Sequence, residues 1–252
     1  MKIIINADDF GMSNEVTEAI CELLASGTIS STTIMANGNA FELAVSRAKE
    51  FSTASFGVHL NLTEFTPLAG ADVFRSAGIT DEKGVFTGRI REAEPTRRLK
   101  EAILAEWTAQ VSRVREAGVR ISHFDSHHHA HTIPWLFMEL KKLQRAFGVR
   151  RVRTTRTLYS AEDRPVGGKT LLAKRLWHFC LRNFYRTRTT AGLTSFSTFV
   201  ELLKRNHLPK LRTLELMCHP GHPYSAKETD LLKSDWRSLS GTSLELISYA
   251  SL

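Results

Sequence analysis

The chain has 252 residues, of which 42% are apolar and 24% charged, enough for a large single core in an ordinary folded protein. No window approaches the ~18 uninterrupted apolar residues of a membrane span. The opening Met1-Lys2-Ile3-Ile4-Ile5-Asn6 turns polar too soon for a secretory leader, so the expected compartment is the cytoplasm. Cys21, Cys180 and Cys218 are scattered, which suits reduced thiols and gives no C-x-x-C zinc site. Net charge is +8, but residues 141–190 hold 14 Lys and Arg against Glu162 and Asp163, so the rest of the chain is acidic. That concentration suggests an anionic partner: a phosphorylated or carrier-linked substrate, nucleic acid or a membrane surface. Sparse aromatic interleaving and the lack of a nucleic-acid motif disfavour nucleic acid. A solvated outer helix and loop is the plainer reading, and a homodimer contact is another.

In chain order, Ile3–Ala7 is an apolar run ending in acids and predicts a buried strand. Asn14–Ala25 has helical spacing, with Ser13 as N-cap and Gly27 as stop. Ser31–Ala36 is β-branched and predicts a strand, Phe41–Glu50 a helix, and Phe56–Leu62 a third strand. Residues 63–95 are rich in Gly and Pro and read as a long irregular loop, a lid or substrate wall. A long helix over Thr96–Ala117, a strand over Arg120–Phe124 and a helix over Trp135–Phe147 follow. Val149–Arg153 is expected to be a strand, Gly167–Thr170 a flexible turn, and Leu171–Tyr185 a basic helix. Phe196–Arg205 is expected to be a helix, Thr213–Cys218 a strand, and the tail from Ala226 helical. Strands alternating with helices predict an α/β fold with a parallel sheet. No linker interrupts residues 1–252, so one domain is expected.

Polar residues gather where the apolar strands end: Asp8 and Asp9, His59 and Asn61, Asp125 and His127, and His219. In parallel α/β folds, sites assemble at C-terminal strand edges. If the first strand stays extended, Asp8 and Asp9 point to opposite sides. One can then reach a metal and the other its water; the plainer reading is a helix-capping turn. His123, Asp125, His127, His129 and His131 share one face at period two. An open metal site needs about three protein ligands, so the rest would be supporting groups, acids or substrate contacts. His59 alone reads as structural and gains weight only beside the other motifs. His219, before Pro220-Gly221, sits on a rigid turn and is a candidate proton donor. Cys218 faces away from it and is discounted as a nucleophile. Glu64 and Arg153 are weaker candidates for substrate contact.

Taken together, Asn6–Gly11, Gly27–Thr33, Gly57–Thr63, His123–His131 and Met217–Gly221 resemble the YdjC-like carbohydrate deacetylases, the family of chitooligosaccharide and hopanoid-associated deacetylases. The Asp-Ser-His-His-His-Ala-His form is more similar to the chitooligosaccharide branch. Residues 154–212, including the basic Lys169–Arg188 region, carry none of the family's motifs. The resemblance implies a distorted (β/α) barrel of the polysaccharide-deacetylase type. It implies one divalent metal ion on Asp9, His59 and His127, with Asp8 as base. Magnesium is the family's usual ion, and an Asp-His-His set also suits zinc.

The expected reaction is hydrolysis of an N-acetyl group from an amino sugar or oligosaccharide, releasing acetate. His219, or else His129, would protonate the departing amine. Asp125, His129, His131, Asn61 and Arg153 are expected to contact substrate or support the ligands. Two other readings stay open: a catalytically silent carbohydrate- or polyanion-binding protein, and a metal-dependent phosphoester hydrolase.

Overall fold

The computed structural model describes residues 1–159, 167–239 and 243–252; Glu162 and Asp163 lie outside them. The chain runs β1 (Lys2–Phe10), α1 (Asn14–Ala25), β2 (Ser31–Ile34), α2 (Phe41–Ala48), β3 (Ser55–Leu60), α3 (Ala71–Ser76), α4 (Arg97–Glu116) and β4 (Ile121–Ser126). It continues with α5 (Phe137–Phe147), α6 (Gly168–Asn183), β5 (Gly192–Ser195), α7 (Phe196–Lys204), β6 (Thr213–Cys218), α8 (Ala226–Lys233) and β7 (Glu245–Leu246).

The strands form one parallel sheet in the order β4-β3-β2-β1-β6-β5, with β7 also on β1. β1 lies at the centre and is buried from Ile3 to Phe10. Its first residues, Lys2 and Ile3, pair with β7, and from Asn6 onward β2 takes over that edge. Burial on both faces explains the continuous apolar run. Edge strands β4 and β5 are linked through residues 151–157 by single bridges, Phe124 to Val152, Arg151 to Arg188 and Thr157 to Leu193. The sheet thus curls into the expected distorted barrel.

Several expectations are corrected here. Val149–Arg153 makes isolated bridges instead of a ladder, with Arg153 N bonded to Phe124 O on one side and Val152 N to Arg188 O on the other. Gly167–Thr170 is no loose turn; α6 starts at Gly168. The tail is α-helical only over Ala226–Lys233, with short 3-10 turns at Trp236–Leu239 and Tyr249–Ser251, and β7 between them uses the free half-edge of β1. β5 and β7 are too short and too polar to show in the pattern. Residues 63–95 contain α3, and Phe74, Ile79, Phe86 and Ile90 are buried, so this segment is a packed wall.

Gly57 on β3 allows the close packing behind the strand ends. A Cβ there would lie 2.6 Å from His123 Cε1 and 2.7 Å from Thr33 Cγ2. Gly57→Ala is therefore expected to lower stability by about 1–3 kcal/mol, as overpacking does. Urea unfolding measures it, and a stability equal to wild type would show that β3 can shift freely.

Candidate active and metal site

The site begins with a break in β1. Asp9 adopts a left-handed backbone, φ 69°, where the β1–β2 register slips between Ala7 and Phe10. Such a conformation is costly for a non-glycine residue and is held by its surroundings. Asp8 and Asp9 consequently do not alternate as in an extended strand. Asp9 Oδ1 lies 3.1 Å from His59 Nε2 and 2.9 Å from His127 Nδ1, while Oδ2 lies 3.1 Å from His222 Nε2. Burial pushes the Asp9 carboxyl up, but the three imidazoles outweigh it and hold the group well below its usual range.

The Asp9 oxygens are buried, yet neither accepts a hydrogen bond of normal geometry. A buried carboxylate without directed partners is expensive. One ligand atom each from Asp9, His59 and His127 lie within 4.8 Å of one another. These residues could hold a metal ion, and their mix of imidazole and carboxylate fits a divalent cation. His59 is oriented from behind: its Nδ1 lies 2.7 Å from Asp125 Oδ1, which leaves Nε2 facing Asp9. Thr33 Oγ1 donates to Asp125 Oδ2 at 3.0 Å.

Asp8 has a different environment. Arg153 donates to both its oxygens, at 2.7 and 2.6 Å, and Asn6 Nδ2 donates at 2.9 Å. Burial opposes ionisation, but the guanidinium holds the Asp8 carboxyl far below the usual range. Arg153 also lies 2.9 Å from Asp125 Oδ2 and donates from Nε to Glu215 at 2.7 Å. Tyr249 OH donates to the other Glu215 oxygen. Burial raises Glu215 to about 7, against the pull of Arg153 and Tyr249. Arg153 is fully buried, so the expectation of a direct substrate contact is corrected: it is an internal cross-link.

The period-two histidine face ends with β4. The backbone turns left-handed at His128 (φ 47°) and His129 (φ 54°), so His129 and His131 leave the face that Asp125 defines. His131 is fully buried and lies 2.5 Å from Ser126 Oγ, which makes it a structural residue out of substrate reach. His123 is buried too and stacks on Tyr249 at 3.6 Å. Asn61 is likewise buried; it accepts from Thr63 N and Glu64 N and donates to Asn37 Oδ1. It shapes the turn that brings Glu64 Oε1 to 3.3 Å from His127 Nε2. His219 is half-buried, with Nε2 3.9 Å from Asp8 Oδ2. Cys218 is fully buried, which pushes its thiol well above the usual range.

His222 escaped the sequence reading, although it lies three residues beyond His219. Gly221 between them has φ 79°, and a Cβ there would meet Val16 Cα at 2.8 Å. This close approach folds the loop back so that both histidines reach the aspartates. A second histidine beside Pro223 was the available signal.

A cavity of about 460 Å³ is lined by His129, Arg91, Tyr159, Lys174, Trp177 and several threonines; it adjoins the site through His129 and is not lined by Asp8, Asp9, His59 or His127. Burial, and then Arg153, hold the His129 imidazole down to about 3, so it is neutral in ordinary buffers. Lys174 lines this cavity from α6. Lys169 and Arg175 are exposed residues of the same helix and do not line the cavity.

The family model for YdjC-like protein matches residues 2–243, and the chain belongs to that family. A carbohydrate deacetylase of Oceanobacillus iheyensis is 34% identical over 223 residues, covering 88% of this chain and 86% of that protein. A carbohydrate deacetylase of Vibrio cholerae is 32% identical over 225 residues, covering 87% and 78%. A crystal structure from Enterococcus faecalis V583, named for cellobiose-phosphate cleavage, has a TM-score of 0.76 and 24% identity. It covers 99% of this chain and 98% of its own, and supports the fold alone.

Two outcomes follow from the Arg153 cluster. Arg153→Met strands three buried carboxyl groups and is expected to lower stability by about 3–5 kcal/mol in chemical unfolding. Glu215 has a folded pKa raised above its unfolded value, so its stabilisation is present at low pH and is lost as pH rises from about 4.5 through about 7. The stability of wild type relative to Glu215→Gln should fall over that window, by at most about 3 kcal/mol. A difference that stays flat with pH would show that Glu215 is ionised throughout.

Proposed function

We propose that this chain is a metal-dependent carbohydrate deacetylase that hydrolyses an N-acetyl group of an amino sugar or oligosaccharide and releases acetate. One observation carries the reading: buried Asp9 has both oxygens facing imidazoles without a directed hydrogen bond, next to an Asp8 that Arg153 keeps ionised. The names of relatives at 34% and 32% identity supply the substrate class.

A divalent cation on Asp9, His59 and His127 supplies Lewis acidity toward water and the acetamide carbonyl when bound. Asp8 takes the proton of the attacking water. Its pairing with Arg153 fixes its direction and makes it a weak base, which a cation held by Asp9, His59 and His127 would offset by acidifying the water. His219 passes a proton to the amine as the C–N bond breaks; it is the half-buried histidine on the Asp8 side. His222 and Glu64 brace the opposite sides of the ligand set. His129, neutral and facing the cavity, hydrogen-bonds the sugar. The cavity offers Trp177 as a stacking face, threonine hydroxyls for sugar hydroxyls, and Arg91 and Lys174 for an anionic substituent or carrier. Magnesium fits by family habit, whereas two imidazoles favour zinc or a similar borderline ion.

The decisive experiment is an acetate-release screen over acetylated sugars after chelation and return of single metals. Phosphate release from matched phosphosugars, without acetate release, would instead identify a phosphoesterase. His59→Ala and His127→Ala are each expected to lose bound metal, read by elemental analysis of the purified variants. Asp8→Asn is expected to keep the metal and lose ~10²–10⁴ in rate. Turnover near wild type in Asp8→Asn would place the base elsewhere.

A further inference from the structure

Helix α6 presents two chemically distinct faces. Thr170, Ala173, Lys174 and Trp177 line the cavity that His129 also lines. On the opposite side Leu172, Leu176 and Phe179 are 68%, 61% and 63% exposed. Their i, i+4, i+7 spacing makes one continuous apolar stripe. At 3.6 residues per turn, exposed Lys169 falls on one flank of that stripe, and exposed Arg175 and Arg182 fall on the other. Leu181 is the one fully buried residue of this helix. A stripe of three large apolar residues in water is unfavourable and marks a contact surface.

We propose that α6 is an interfacial helix that docks this protein on an anionic lipid surface. The apolar stripe would enter the headgroup boundary, while the flanking cations meet acidic headgroups on both sides. Charge decides between this occupant and a second copy of the chain. Two-fold pairing of this face would set Lys169, Arg175 and Arg182 against their own copies, with no acidic residue in Gly168–Asn183 to relieve them. Acidic lipid supplies the opposite charge. Because the other face of the helix lines the cavity, docking sets that wall of the cavity close to the headgroups. Docking is independent of the deacetylase reading and needs no turnover to be observed.

The test is vesicle flotation of the full chain, using phosphatidylcholine alone and phosphatidylcholine mixed with phosphatidylglycerol. The expected result is binding to the mixed vesicles, weakened by salt, and little binding to phosphatidylcholine alone. The triple variant L172S/L176S/F179S should lose at least about tenfold in partitioning, and K169Q/R175Q/R182Q a similar amount. All six positions are exposed, and circular dichroism of each variant checks the fold. Single Leu176→Ser serves if the apolar triple misfolds, with a smaller loss in the same direction. Absence of binding to the mixed vesicles at low salt overturns the proposal. So does binding that is indifferent to the apolar changes, which would be charge adsorption alone. A dimer in light scattering that the apolar triple dissociates, and that does not float, would assign the face to a second copy.

Discussion

The buried guanidinium of Arg153 holds three strands of the barrel together. It reaches Asp8 on β1, Asp125 on β4 and Glu215 on β6, and it comes from the bridging segment that closes the gap between β4 and β5. One cation among three carboxyl groups is unbalanced, and the imbalance explains why Glu215 is pushed up to about 7 while Asp8 is held far down. The bidentate, shortest contacts go to Asp8, so Asp8 keeps its charge and Glu215 gives way. From Arg153 the ordering passes to Asp125, then to His59 Nδ1, and leaves Nε2 facing Asp9. Internal salt bridges of this kind add little net stability, but they restrict geometry once formed.

Two neighbouring residues of one type thereby acquire different chemistry. Asp8 is wrapped by directed donors and is a fixed anion. Asp9, turned left-handed, has imidazole nitrogens at contact distance and no directed hydrogen bond. The left-handed turn at Asp9 keeps both carboxylates near His59, because an unbroken strand would send one carboxylate to each face of the sheet.

The basic segment divides in a similar way. Lys141 is buried and donates to Leu181 O, Phe184 O and Thr187 Oγ1, tying α5 to the C-terminal end of α6, and burial lowers it to about 8. Arg153 neutralises carboxylates in the interior. Lys174 turns to the cavity, where it donates to Thr157 and Tyr159. Part of the local charge excess is therefore internal, and the exposed part is spread over α5 (Lys142, Arg145), α6 (Lys169, Arg175, Arg182) and the connecting segments (Arg150, Arg156, Arg186, Arg188). A count of charges along the chain cannot separate these roles, since each is assigned by burial and by partners distant in sequence.

The alternation of apolar runs and amphipathic stretches was enough to specify the parallel α/β class, the positions of β1, β2, β3, β4 and β6, and the placing of polar residues at strand ends. Those features are local, because period and composition of a short window set them. Asp8, Asp9, His59, Asp125 and His127 were legible for that reason, and the motif set made the family recognisable. Tertiary structure decided the rest. Arg153 and Glu215 meet across 62 residues, and Arg153 and Asp8 across 145, so no window contains the pair. His129 and His131 leave the strand face because the chain turns left-handed, which a period-two pattern does not register. His222 reaches Asp9 only because Gly221 lets its loop pack on α1. β5 and β7 exist because neighbouring edges offer unpaired backbone groups, a demand that is met by position in space and leaves little trace in side-chain pattern.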